Sequence, residues 1–173
     1  MSIKSNIKKA TNAVVKALTP ENEMGNIDIL ETLKQEHDEV KSLLSDLQGA
    51  RTAAQRKTLV KKIKTALLPH TKAEEKVVYD AVISLRDKEA QTDGHEGYLE
   101  HALAAKTLQR LESIDNATSP EHKAAAKVLK ELVEHHIDEE ERNVWKDVKS
   151  NFLDDERITM NTAFMAAKKR VKV

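Results

Sequence analysis

Apolar residues recur at three- and four-residue intervals along most of the chain, the spacing that places them on one face of an α-helix. Gly49 and two polar stretches, residues 86–97 and 115–122, separate the periodic segments. Ser119 as N-cap before Pro120 marks the start of the last long segment. The predicted helices cover about residues 27–47, 52–85, 98–114 and 120–149. The pattern therefore predicts an all-α, up-down-up-down four-helix bundle.

Both ends of the chain carry further helical patterns. Residues 2–18 are basic and amphipathic, and residues 19–26 contain Pro and Gly, as linkers do. The first segment is interpreted as an extra helix packed on the domain, with a partner- or membrane-surface helix as the alternative. Residues 156–173 are predicted to form a last, partly frayed helix with a basic tail. The predicted domains are residues 1–26, 27–150 and 151–173.

One proline falls inside the second predicted helix. Pro69 removes a backbone donor and crowds the carbonyl of Thr65, so it predicts either a kink or a break between two helices. Both interpretations stay open from the sequence.

The bundle contains an internal repeat. The segment QEHDEVKSLLSDL of the first helix aligns with LEHALAAKTLQRL of the third, and LLPHTKAEEKVVYDAV of the second aligns with VEHHIDEEERNVWKDV of the fourth. The domain is therefore predicted to consist of two helical hairpins of similar design.

Six polar residues interrupt the apolar stripes where the core-facing side of each helix should continue. Burying such groups is costly unless something satisfies them. Each hairpin contributes one lone histidine and one HxxxE pair, whose members lie about 6 Å apart on one helix face. The six candidate metal ligands are His37, His70, Glu74, His101, His136 and Glu140.

The positions of the turns place these residues at one height in the bundle. The midpoint between His37 and His70 falls near the first predicted turn, and the midpoint between His101 and His136 falls at the Ser119 turn. Antiparallel neighbours joined by short loops bring such equidistant residues level. Imidazole and carboxylate without thiolate suit iron or manganese, and zinc less specifically, and two carboxylates can bridge two metal ions.

Composition narrows the remaining possibilities. Lys and Arg together number 29, and so do Asp and Glu, so the net charge is zero. The chain lacks the excess of positive charge that would indicate a nucleic-acid partner. The chain has no cysteine, which excludes disulfides and thiolate sites. Neither a membrane-spanning run nor a secretion signal is recognisable, so a cytoplasmic location is the expectation.

The region of about residues 27–150 resembles the hemerythrin-like, or HHE cation-binding, domain. The motifs that carry this resemblance are His37, His70-Thr-Lys-Ala-Glu74, His101 and His136-Ile-Asp-Glu-Glu140. The resemblance includes the doubled acids Glu74-Glu75 and Glu140-Glu141, and an aromatic residue five positions after each ligand glutamate. It implies a four-helix bundle around two iron ions bridged by carboxylates and an oxo or hydroxo group. Family roles include binding or sensing dioxygen, handling iron, and reacting with peroxide or nitric oxide.

The sequence departs from the five-histidine site of the oxygen-carrying hemerythrins. Gly97 and Ala105 occupy the positions four residues from His101, and neither can ligate a metal. The departure puts reversible oxygen transport in doubt. Two functional classes are left: a peroxide- or nitric-oxide-consuming oxidoreductase, and an oxygen, redox or iron sensor without turnover.

Several neighbouring residues have alternative interpretations. A pair His135/Glu139 has the same spacing as His136/Glu140, but the apolar phase of the helix and the repeat favour the latter. His95 is expected in a solvated loop. Glu75 and Glu141 are expected outside the ligand layer, as possible acceptors for ligand imidazoles. Tyr79 and Trp145 are interpreted as core packing rather than redox relays.

Overall fold

The computed structural model describes residues 26–173, and every regular element in that range is helical. The predicted N-terminal helix and almost all of the linker lie outside the described residues. In chain order the elements are α1 (Ile29–Gly49), α2 (Ala53–Glu74), a π-helical segment (Glu75–Tyr79), α3 (Asp80–Ile83), α4 (Lys88–Glu112), α5 (Pro120–Arg142), α6 (Val144–Asn151) and α7 (Asp154–Lys168). Helices α1 and α4 each pack against both α2 and α5.

Each of the four long helices begins at a side chain that caps its first turn. Asp28, Asp87 and Ser119 accept hydrogen bonds from backbone N–H groups of α1, α4 and α5. Thr52 and Gln55 form a reciprocal capping box at the start of α2. Such caps stabilise a helix by about 1 kcal/mol each, and the predicted cap at Ser119 is confirmed.

The buried apolar residues form two clusters along the bundle. One contains Leu33, Ala73 and Phe164, and the other contains Val40 and Leu67. In α1 and α2 the predicted ligands His37 and His70 lie between members of the two clusters. The polar layer is therefore enclosed by apolar packing on both sides, which keeps water away from it.

The predicted polar loop at residues 86–97 is wrong, because α4 already begins at Lys88. The stretch is polar and contains two glycines, but Gly94 and Gly97 lie inside the helix where other residues come close. A Cβ atom at Gly94 would lie 2.7 Å from Ile83, and one at Gly97 would lie 2.6 Å from the Tyr79 ring. These glycines permit helix contact rather than ending the helix.

Two of the predicted long helices are interrupted just past the ligand layer. Helix α2 continues through Pro69 to Glu74, so a break at the proline is wrong; the chain then passes through the π-helical segment. Helix α5 ends at Arg142, and α6 starts again after Asn143. π-Helical turns are rare and occur frequently at functional sites.

The C-terminal helix α7 packs against α1, α2 and the π-helical segment. Met160, Ala163 and Phe164 are buried in it, so the helix is part of the core rather than a frayed end. Within residues 26–173, no helix is both long and apolar enough to cross a membrane.

Candidate metal centre

The structure brings all six predicted ligands into one buried layer. They come from four helices, one histidine each from α1 and α4 and one HxxxE pair each from α2 and α5. Their exposed fractions range from 0% to 7%. The six residues are His37, His70, Glu74, His101, His136 and Glu140.

The four histidines form two pairs. The ring centroids of His37 and His70 are 5.1 Å apart, and those of His101 and His136 are 4.6 Å apart. In the second pair the two Nε2 atoms lie 3.0 Å from each other. Each helical hairpin of the internal repeat thus supplies one histidine pair.

Each buried glutamate reaches from one histidine pair to the other. Glu74 Oε2 lies 3.2 Å from Nε2 of His70 and 3.4 Å from Nε2 of His101, which belong to different pairs. Glu140 Oε2 lies 3.5 Å from Nε2 of each of the other two histidines. Two groups of three potential metal ligands, one around each histidine pair, share Glu74.

Several polar atoms of the layer have no hydrogen-bond partner among residues 26–173. One is Nδ1 of His101, on the outer side of its ring beside Glu75. The others are Nε2 of His37, both carboxylate oxygens of Glu74 and Oε2 of Glu140. Leaving such atoms buried and unpaired costs about 1–3 kcal/mol each, and more for charged groups. A cation between imidazole and carboxylate would satisfy all of them except Nδ1 of His101, so the side chains present fit a metal ion.

A carboxylate outside the layer lies beside Nδ1 of each of the four ligand histidines. An acceptor at Nδ1 fixes the ring and leaves Nε2 free to face the centre. Three pairs are hydrogen-bonded, and the fourth, at His101, is longer. The pairs are His37 with Glu141 (3.1 Å), His70 with Glu36 (3.0 Å), His136 with Glu100 (2.7 Å) and His101 with Glu75 (3.4 Å).

Comparison with known families agrees with this arrangement. The model of the family described as the hemerythrin HHE cation binding domain matches residues 28–146, about two thirds of the chain. The chain belongs to this hemerythrin HHE family. The resemblance noted from the four-part histidine and glutamate pattern is thereby confirmed. The family binds metal cations, and the six side chains of the layer can hold one.

One similar protein is described by an activity on DNA rather than by metal binding. A protein of Nostoc sp. (strain PCC 7120 / SAG 25.82 / UTEX 2576) described as a DNA nickase is 25% identical over 162 residues. The match covers 94% of this chain but only 45% of the relative. No solved structure matches the chain at a significant level.

The pKa values of the two glutamates of the HHE site shift in opposite directions. Burial opposes ionisation of both, but the charge of His70 and the close approach of the His101 and His70 imidazoles hold the pKa of Glu74 well below its ordinary value. Burial and the charge of Glu74 raise the pKa of Glu140 well above its ordinary value. Burial lowers the pKa of His70, but Glu74 and Glu36 outweigh it and raise that pKa to about 9.

The two helix interruptions turn aromatic side chains towards the HHE site. The Tyr79 hydroxyl lies 3.4 Å from Nε2 of His101 and 3.3 Å from Nε2 of His136. Trp145 donates from Nε1 to Glu140 (3.2 Å). A residue five positions after a glutamate would point about 140° away in a regular α-helix. The π-helical segment and the break at Asn143 remove this mismatch.

Sequence reasoning identified the layer and two of its four outer carboxylates. The structure places Glu75 and Glu141 beside ligand imidazoles, as expected, and leaves His135 on the surface with 63% of its side chain exposed. Glu36 and Glu100 were missed. Their signal is a glutamate directly before the lone histidine in both repeats.

Proposed function

We propose that this protein holds two iron ions between the four histidines and two glutamates, in a bundle of up-down-up-down order. The observation that supports this most directly is the position of the glutamates. Each carboxylate approaches one histidine of the first pair and one of the second. Each histidine pair could therefore hold one ion, and both carboxylates lie where two ions could share them. A single-ion site would leave one histidine pair without a metal.

The ligand set favours iron. It offers only nitrogen and oxygen donors, and a pair of ions held by carboxylates and imidazoles is typical of iron or manganese. Zinc and manganese are the competing metals, and metal analysis separates them.

The proposed ligands of the centre are small oxidants: dioxygen, peroxide or nitric oxide. A pocket beside the layer is lined by all four ligand histidines and by apolar side chains that include Val40, Leu67, Ala104, Val133 and Ile137. The pocket is small and mostly apolar, which suits a molecule with two non-hydrogen atoms and excludes a large organic substrate.

When bound, a di-iron centre supplies one- and two-electron redox chemistry at such a small ligand. The residues of the chain orient the imidazoles, exclude water and provide a hydroxyl at Tyr79, 3.3–3.4 Å from two ligand nitrogens. We propose on this basis a peroxide- or nitric-oxide-consuming oxidoreductase.

A second candidate, sensing of oxygen, redox state or iron without turnover, is favoured by the position of α7. Lys168 of α7 pairs with Glu36 (2.6 Å), and Glu36 accepts the hydrogen bond from His70. Phe164 packs edge-on against the His70 ring, with centroids 5.9 Å apart. A change at His70 would therefore act directly on the C-terminal helix.

The nickase relative raises DNA cleavage as a further candidate, but burial opposes it. The six ligands are at most 7% exposed, so a phosphodiester could reach the centre only after the helices had separated. The whole chain also carries as many acidic as basic side chains, so its net charge gives no general attraction to a DNA backbone. We therefore propose no nucleic-acid partner.

Metal analysis of aerobically purified protein tests the centre, with its near-ultraviolet spectrum before and after addition of peroxide or nitric oxide. About two irons per chain, with ligand-to-iron bands that change on addition, are expected. His70→Ala and Glu140→Ala should each lower the metal content, whereas His95→Ala, which removes an exposed histidine of α4, should not. Fully folded protein without metal contradicts the proposal.

Turnover distinguishes the candidates. An oxidoreductase consumes many equivalents of peroxide or nitric oxide per chain, whereas a sensor changes its spectrum once and stops. Conversion of supercoiled plasmid to the nicked form by the wild type, lost in His70→Ala, would instead establish the nickase activity.

A further inference from the structure

A second group of ligand-type side chains lies at the surface beside the buried layer. Glu100, His135 and Glu139 each place one ligand atom within 4.8 Å of the others. His135 Nε2 lies 3.8 Å from Glu100 Oε1 and 3.5 Å from Glu139 Oε2. Arg142 holds the other oxygen of Glu139 at 3.1 Å. Two carboxylates and an imidazole form a ligand set that divalent transition-metal ions accept.

This surface group borders a pocket that runs towards the core. Exposure falls along it, from 29% for the Glu139 side chain to 1% for that of Glu140, and Oε2 of Glu140 is buried with no hydrogen-bond partner in the described part of the chain. The pocket thus joins the surface group to two of the proposed iron ligands. Its lining includes Asp93, Glu96, Glu100, Glu139, His136 and Glu140.

The charges around the pocket suit a cation. Burial and the negative charges of Asp147, Glu89, Glu96 and Glu139 raise the pKa of Asp93 above its ordinary value. These carboxylates therefore create a negative potential that attracts divalent ions.

Glu100 links the surface group directly to the buried layer. Its Oε2 accepts the hydrogen bond from His136 Nδ1 at 2.7 Å, while its Oε1 faces His135. An ion held at the surface group therefore lies one carboxylate away from a ligand of the centre.

We propose that Glu100, His135 and Glu139 form an acquisition site, which captures a divalent metal ion and passes it along the acidic pocket to the buried centre. The delivery step rests on the proposed metal centre as its destination. Capture needs only the three surface side chains.

Capture is tested by titrating Mn(II) into full-length, iron-loaded protein and following free Mn(II) by electron paramagnetic resonance. The wild type is expected to bind one Mn(II) more than His135→Ala or Glu139→Gln. Glu131→Gln is the matched control, since it removes an exposed carboxylate from the same helix two turns earlier. Equal Mn(II) binding by all four proteins overturns capture.

Delivery is tested by the rate at which metal-free protein takes up limiting Fe(II) without oxygen. Glu139→Gln is expected to load roughly tenfold more slowly than the wild type, with the same final iron content, because steering by charge acts on the rate. Glu131→Gln is expected to load at the wild-type rate. Equal rates for Glu139→Gln and the wild type overturn delivery.

These outcomes are separate from failure of the metal centre itself. If the wild type took up no iron at all, the proposed function would fail. The Mn(II) titration of the same protein and its variants would still decide capture, because neither His135 nor Glu139 belongs to the buried layer.

Discussion

Glu36 lies directly before one histidine of the centre and accepts a hydrogen bond from another, His70. Removing such an outer acceptor typically lowers metal affinity 10- to 100-fold, because the ligand ring loses its orientation and some of its basicity. We expect Glu36→Ala to show a decrease of about this size in a chelator competition. Glu39→Ala, an exposed carboxylate on the same helix, is the control. Equal affinities in the two variants would refute a positioning role for Glu36.

Gly97 gives the Tyr79 ring its place beside the centre. A Cβ atom there would lie 2.6 Å from Cζ of Tyr79, so Gly97→Ala should lower the free energy of unfolding by about 1–3 kcal/mol. At Gly49 a Cβ atom meets nothing within 4 Å, so Gly49→Ala should be neutral or stabilise by about 0.4–1 kcal/mol. Denaturant unfolding of both variants measures the difference. An undisturbed Gly97→Ala protein would mean that Tyr79 can move away without cost.

Metal loading at the proposed centre is expected to depend on pH through His70. In the metal-free protein its pKa is raised to about 9, and a metal on Nε2 requires the neutral ring. Protons therefore compete with the metal below pH 9. The apparent affinity for the metal should fall by up to about tenfold for each unit by which the pH is lowered. The raised pKa of Glu140 acts in the same direction. Chelator competition between pH 6.5 and 8.5 measures this slope, and a flat profile would contradict the ion pairs around His70.

At the scale of helices, the apolar period indicated where the four long elements lie, and the pattern of ligands indicated their inner faces. The sequence predicts the start of α4 ten residues too late, because Gly94 and Gly97 resemble turn residues until their neighbours across the helix contact are known. The π-helical segment was also beyond prediction. It depends on Tyr79 meeting histidines from two other helices, which no local pattern encodes.

Helix α7 covers one side of the centre. Phe164→Ala should lower the free energy of unfolding by about 3–5 kcal/mol and speed the release of metal to a chelator, since the ring packs against His70. Phe152→Ala removes a phenyl ring from the same apolar cluster away from the ligands. Phe152→Ala should destabilise the protein. When the two variants are compared under conditions of equal stability, it should not speed the release of metal. Equal release from both variants would mean that α7 stabilises the fold but does not cover the site.

At the scale of the whole molecule, metal and fold should be coupled. A ligand that binds only the native state stabilises it by about 2.7 kcal/mol at a free concentration 100 times its Kd. For a chain of this length that corresponds to roughly 5–10 °C in Tm. Calorimetry with and without a chelator should show this shift in the wild type and a much smaller one in His70→Ala. An identical Tm with and without metal would place the metal outside the buried layer.

The internal repeat makes the two halves of the centre alike in their ligands, but their surroundings differ. Helix α7 closes the side of His37 and His70, whereas the acidic pocket approaches the side of His101 and His136. The two proposed metal positions are therefore unequal: one is sealed by a phenyl ring and a lysine, and the other adjoins solvent through carboxylates. The two positions would therefore fill in order, because an ion arriving through the acidic pocket meets the open position first and the sealed position second.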